Sequence, residues 1–259
     1  MPLQYLQRLS AVERSQRTDC HLGYSLAFVA GAVNAGGFLA IGQYTSHMTG
    51  IMSSMADHLA LGEFRLALSA LVAWLAFVTG ATATAVLVNL AKRRRLRSQF
   101  ALSLLVEACL LLLFGFAGAY LAEMSELLAP ATVLLLCFIM GLQNAIITKV
   151  SGAIIRTTHV TGLSTDLGIE LGKLLYFNRR DVPHLAVRAN RDKLKLHGLL
   201  ILYFFSGGIA GAIGFKHVGY SATLVLSAAL ALLAIGPILT DLQIRWKIRL
   251  RGKRQKACS

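Results

Sequence analysis

Six apolar runs, each close to the length of a membrane crossing, constrain this chain more than any other feature. They cover roughly residues 22–42, 66–91, 99–122, 131–149, 198–215 and 219–240. A bilayer core about 30 Å thick is crossed by about 20 apolar residues in a helix. Of the 259 residues, 56% are hydrophobic and only 15% charged. That leaves too few polar side chains to cover a water-soluble domain of this size. A disordered chain would be polar and charge-rich, so it is excluded as well. The fold class that remains is an all-α integral membrane protein.

Two stretches between the runs, 45–62 and 157–176, are less apolar. The first carries Thr45, Ser46, His47, Thr49, Asp57 and His58, the second Thr157, Thr158, His159, Thr161, Asp166 and Glu170. In lipid these groups would lack hydrogen-bond partners. We expect both to be re-entrant or broken segments, which are tolerated where they line a protein cavity.

The formal charge is +14. On a soluble chain that excess would point to nucleic acid, but here it is written as membrane topology. Placing 1–21, 92–98, 178–197 and 241–259 in the cytoplasm puts 21 of the 26 Lys and Arg residues there. The positive-inside rule favours that arrangement, and it works only if neither polar stretch crosses. The expectation is six transmembrane helices with both termini cytoplasmic. A cytoplasmic segment, 1–21, precedes a single transmembrane domain, 22–240, and a basic tail, 241–259, follows it. Four cysteines, Cys20, Cys109, Cys137 and Cys258, show neither a C-x-x-C pair nor a metal-ligand spacing, so no metal or cofactor is expected.

The chain also matches itself. Gly31-Ala32-Val33-Asn34-Ala35 pairs with Gly141-Leu142-Gln143-Asn144-Ala145, and Ser46-His47-Met48-Thr49-Gly50 with Thr158-His159-Val160-Thr161-Gly162. Phe77-Val78-Thr79-Gly80 pairs with Phe204-Phe205-Ser206-Gly207. Each half, about 22–122 and 131–240, reads as span, polar break, span, span. Three spans is an odd number, so the second half enters from the opposite side. The fold predicted is a 3+3 inverted-topology repeat, a plan that places sites near the membrane midplane.

The candidates for a ligand or ion pathway are Asn34, Ser46, His47, Thr49, Asp57, Asn144, Thr158, His159, Thr161 and Asp166. Asn in a span is either a ligand contact or interhelical glue. His can relay a proton or donate a hydrogen bond, and Thr49 and Thr161 are expected at half-helix starts, whose amides attract anions. His47, His159, Asn34 and Asn144 are predicted to face one central cavity. Intramembrane carboxylates are functional candidates by default, which adds Glu107 as a weaker one. In the tail, Arg245, Trp246, Lys247 and Arg249 have the mixture that contacts anionic lipid headgroups.

These motifs in this order, Gly-Ala-Val-Asn-Ala, Thr45-Ser46-His47-Met48-Thr49-Gly50, Gly-Leu-Gln-Asn-Ala and Thr157-Thr158-His159-Val160-Thr161-Gly162, resemble the YoaK-type family over about residues 22–240. The resemblance implies a bacterial inner-membrane protein of a domain of unknown function. It also implies Asn after the first Thr-Gly, where this chain has Ile51.

No G-x-S-x-G elbow or H-E-x-x-H pair is present, and no asymmetric catalytic set appears, so we expect no enzyme. The function expected is a secondary transporter or channel for a small solute or ion. The alternatives are a non-transporting scaffold or lipid-binding protein and a membrane-embedded enzyme. The expected partners are the bilayer, anionic headgroups and a small solute; self-association is left open and nucleic acid is not expected.

Overall fold

The computed structural model describes residues 16–94, 96, 98–121, 125–177 and 187–257. The described residues are helical, with no strand among them. In chain order the helices are α1 (Gln16–Ile41), α2 (Met48–Ala60), α3 (Phe64–Arg93), α4 (Ala101–Leu121), α5 (Ser125–Val150), α6 (Val160–Leu175), α7 (Arg191–Val218) and α8 (Ala222–Ala257). Every apolar run lies in a long helix. Five stretches are long and apolar enough to cross a membrane, and the fifth, Arg191–Gly236, has 46 residues. A helix needs about 20 residues for one crossing, and a short 3-10 turn at Gly219–Ser221 divides that stretch into α7 and α8.

The two polar stretches hold α2, of 13 residues, and α6, of 16. At 1.5 Å per residue these are about 20 and 24 Å long, short of a bilayer core. Apolar side chains are widely exposed on α3 (Leu66, Leu68, Val86) and α7 (Leu202, Phe205, Ile213). A surface of that kind belongs in lipid. The chain is thus an all-α membrane protein.

Packing follows the small residues. A Cβ at Gly31 would collide with the Phe204 carbonyl, one at Gly207 with the Phe28 carbonyl, and one at Gly211 with the Ala32 backbone. These contacts bring α1 against α7, side by side and parallel, with Gly23 near Leu200 and Gly36 against Phe215. Helices α3 and α5 meet in the same way. Gly141 lies against the Phe77 carbonyl and Gly80 against the Phe138 carbonyl, and the Thr84 hydroxyl donates to the Leu142 carbonyl at 2.9 Å. Small residues let helix backbones approach where lipid offers no hydrophobic drive to association.

The remaining contacts run antiparallel. Helix α1 crosses α5 with Gly37 on Leu136 and the Gln143 amide donating to the Leu26 carbonyl at 3.5 Å. Helix α4 lies on α8 with Gly118 on Tyr220, Gly115 on Thr223, and the Ser227 hydroxyl donating to the Ala108 carbonyl at 2.8 Å. The core between these helices is continuous, from Leu22, Leu26 and Ala30 through Leu104 and Leu111 to Ile139, Ile146 and Leu230. Helix α2 rests on α3 through Ile51, Ala70 and Ala73, closed by Cys137 of α5. Helix α8 continues without a break past residue 240 to Ala257. The side chains of Arg245, Trp246, Lys247 and Arg249 lie outside the described residues, as do residues 1–15.

Candidate functional site

Helices α1 and α5 stop the same way. Gly42, eight residues beyond Asn34, and Gly152, eight beyond Asn144, have φ of +71° and +59°. Glycine adopts that conformation without a Cβ penalty, which ends the helix. The chain then doubles back beside the helix it has just left. The Ser46 hydroxyl and amide donate to Asn34 Oδ1 at 2.9 and 3.2 Å. In the second half the Thr158 hydroxyl donates to Asn144 Oδ1 at 2.7 Å, while Asn144 Nδ2 donates to the Met140 carbonyl at 2.8 Å. Each unwound segment is therefore clasped to a point about 10 Å back along the preceding helix. Both Asn residues hold the break in place.

The histidines stand where α2 and α6 begin. His47 and His159 occupy the N-cap positions, and neither makes a side-chain capping bond. This corrects the expectation that Thr49 and Thr161 start the half-helices. Both threonines lie inside the first turn and are exposed. The motif's glycine allows a close approach of the histidine ring. A Cβ at Gly50 would come within 2.5 Å of His47 Nδ1, and one at Gly162 within 2.6 Å of His159 Nδ1. Each imidazole folds over the first helical turn, and only glycine leaves room for it.

The four polar residues do not share one lining. Helices α1 and α5 cross antiparallel near their middles, so matched positions fall on opposite sides of the crossing. Asn34 and Ser46 form one cluster, Asn144 and Thr158 the other. Neither pair lines the two cavities beside α6; of the four polar residues only His159 does. One, of about 330 Å3, is lined by Arg156, His159, Gly162, Asp166 and His197. It adjoins a larger one, of about 1390 Å3, through their shared wall of Ile154, Asp166 and His197. The larger cavity lies between the starts of α1 and α7, the 151–155 turn and α6, and carries Glu170, Lys173, Lys193 and Lys195. Asp57 is exposed on α2. Glu107 is buried in α4 with neither carboxylate oxygen hydrogen-bonded, one turn after Ser103, whose hydroxyl is also unpartnered. It joins neither cluster.

Several further residues stand out only in three dimensions. Thr45 and Thr157 are both fully buried in the unwound segments with unpartnered hydroxyls; their matched places just before the Ser46 and Thr158 clasps are the signal the sequence offers. Glu170 accepts from Lys173 Nζ at 2.8 Å and from the Asn190 amide at 2.7 Å. Asn190 in turn caps α7, so this carboxylate ties the end of α6 to the start of α7. The Lys173 ammonium, then the Asn190 amide, hold the Glu170 carboxyl below the usual carboxylate range. A depressed folded-state value contributes stability above the unfolded-state pKa, about 4.3 for Glu, and loses it as pH falls through the folded value. The melting-temperature gap between the parent and Glu170→Gln should therefore hold constant from pH 8 to about pH 5. It should narrow only below about pH 4. A gap that closes near neutrality would contradict the ion-paired assignment.

The family described as "Protein of unknown function (DUF1275)" matches residues 22–236. The chain belongs to this family. The YoaK-type resemblance carried by the Asn-Ala and His-x-Thr-Gly motifs points to the same group. The DUF1275 match spans α1 to the middle of α8, including both clasped breaks and both His-x-Thr-Gly motifs. No curated relative and no solved structure matches the chain. The family's description supplies no activity, so the function of this DUF1275 protein is argued from its geometry.

Proposed function

We propose that this protein is a secondary transporter or channel for a small solute or ion, built as a 3+3 inverted-topology repeat in the bacterial inner membrane. The observation that carries the reading is the pair of clasped breaks. In each half an unwound segment returns to a point about two turns back along the helix it has left, is held there by Asn, and leads into a half-helix. Irregular backbone at membrane depth is tolerated where it lines a protein cavity, and discontinuous helices of this kind form transporter sites.

The helix directions support six spans. If α2 and α6 crossed fully, α1 would run parallel to α5, and α4 parallel to α8. Both pairs run antiparallel. The inverted repeat is supported by contacts that cross between the halves: Gly31 meets Phe204 while its counterpart Gly141 meets Phe77, the counterpart of Phe204. The charge distribution supports a cytoplasmic location for both termini and for the loops at 92–98 and 178–197. The cavities beside α6 give a solute a place to sit, which a pure scaffold would not need.

The test is a thermal-shift screen of the purified full chain in detergent over small metabolites and ions. Solutes that respond are then followed by counterflow into liposomes. At least one should raise the melting temperature and accumulate, and Asn144→Ala should cut its uptake at least tenfold while the protein stays monodisperse. A panel in which nothing binds and nothing is carried would contradict the transporter reading and favour a scaffold.

A further inference from the structure

Helix α6 begins at the wall of the smaller cavity without a side-chain cap on its first turn. His159, at the N-cap position, makes no capping bond. The neighbouring hydroxyl that could have capped it, Thr158, is turned to Asn144. Gly162 of the first turn lines the cavity, and with no side chain it leaves room for the His159 ring to lie over the turn at that wall. A helix of 16 residues presents partial positive charge at such an end. A helix end alone would mean little, but two other features share the wall.

One is Arg156. Its Nη1 lies 3.4 Å from His159 Nδ1. A guanidinium only donates, so Nδ1 is the acceptor and the ring's proton sits on Nε2. The other is His197 of α7. It is 7% exposed, its Nδ1 has no hydrogen-bond partner, and it stands in the wall of both cavities. Buried polar atoms are nearly always paired, and one without a partner in a cavity wall is a group that a ligand can satisfy.

The first half lacks this equipment. At the position of Arg156 it has Tyr44, whose ring stacks on Phe38 with centroids 4.4 Å apart. The matched break is closed by an aromatic pair. Asp166, one turn beyond Gly162 on α6, also lines the cavity and limits the net positive charge there, which favours a single carboxylate over a multiply charged phosphate.

We propose that the smaller cavity binds a small carboxylate at the start of α6, held by Arg156, His159 and His197. This names the solute class for the transporter reading and rests on that reading for its physiological meaning. Arg156 supplies the always-charged fork suited to a carboxylate, and the two histidines in the same wall supply polar contacts. Asp166 lines both cavities and its negative charge opposes an anion, so its replacement by Asn should tighten a simple carboxylate.

The probes are formate, acetate and lactate, each set against its uncharged amide, measured by calorimetry on the purified full chain in detergent. The three carboxylates should bind and the amides should not. Arg156→Gln and His197→Gln should each weaken binding at least tenfold, and Arg156→Lys should restore part of the loss. Asp166→Asn should strengthen binding severalfold, and Tyr44→Phe, in the other half, should leave it unchanged. Melting temperature of each variant separates lost binding from lost folding. Equal affinity for acid and amide, or full affinity in well-folded Arg156→Gln and His197→Gln, would overturn the proposal. Carboxylate binding without carboxylate uptake would leave the site standing and remove the transporter reading. Transport of another solute with no carboxylate binding would do the reverse.

Discussion

Valine in place of Gly31, Gly80, Gly141 or Gly207 should destabilise the protein by roughly 3 kcal/mol or more at each site, the upper end of what overpacking costs. The reason is geometric. At all four positions an added Cβ would collide with the backbone carbonyl of the facing helix, Phe204, Phe138, Phe77 and Phe28 respectively. A flexible side chain could swing aside, but a carbonyl inside a helix can move only if the whole helix moves. The two helices would separate and lose the contacts that hold α1 to α7 or α3 to α5. In a membrane no hydrophobic drive compensates for that separation, because lipid tails solvate the exposed faces equally well. Gly168 of α6 is the control, since a Cβ there meets nothing within 4 Å. Gly168→Ala should be neutral or slightly stabilising, by about 0.5–1 kcal/mol, through helix propensity. Detergent melts or urea titrations of the five variants check this. The four valine variants should fall into matched pairs, Gly31 with Gly141 and Gly80 with Gly207. A valine variant as stable as the parent would mean that the helices do not approach as closely as described.

Much of this architecture is legible in the amino-acid sequence. The apolar runs form helices because a 20-residue apolar stretch has no other way to satisfy its backbone in lipid. The Gly-Ala-Val-Asn and Gly-Leu-Gln-Asn motifs each precede a clasped break, and the glycines of the Phe-x-x-Gly pair each pack on a facing helix backbone. What one dimension does not show is that these motifs meet each other, the glycine of one half on the phenylalanine of the other. An Asn in a span reads equally as ligand contact or glue, and the side-chain bonds to Ser46 and Thr158 make both Asn residues clasps.

Of the residues expected around one central cavity, Asn34, His47 and Asn144 line neither of the two cavities beside α6. Spacing along a chain gives no information on where two helices cross, and an antiparallel crossing of α1 and α5 separates the two clusters. One difference between the halves is Tyr44 against Arg156, just outside the matched pentapeptides. His197 gives no local signal at all. It reaches the cavity because α7 runs beside α6, with the whole 178–190 connection in between.

Membrane sidedness of the two half-helix ends tests the six-span inverted arrangement most directly. In a chain freed of Cys20, Cys109, Cys137 and Cys258, one cysteine replaces Glu63, in the turn after α2, and in a second chain one replaces Arg188, in the connection after α6. Both positions are exposed and lie outside the helices. They follow matched half-helices, yet an inverted repeat puts them on opposite faces of the membrane. An impermeant thiol reagent on intact cells should label Glu63→Cys fully and Arg188→Cys only after the membrane is opened. If both label from the same side, or if Glu63→Cys is protected until the cells are permeabilised, then α2 or α6 crosses the bilayer and the inverted six-span arrangement is wrong.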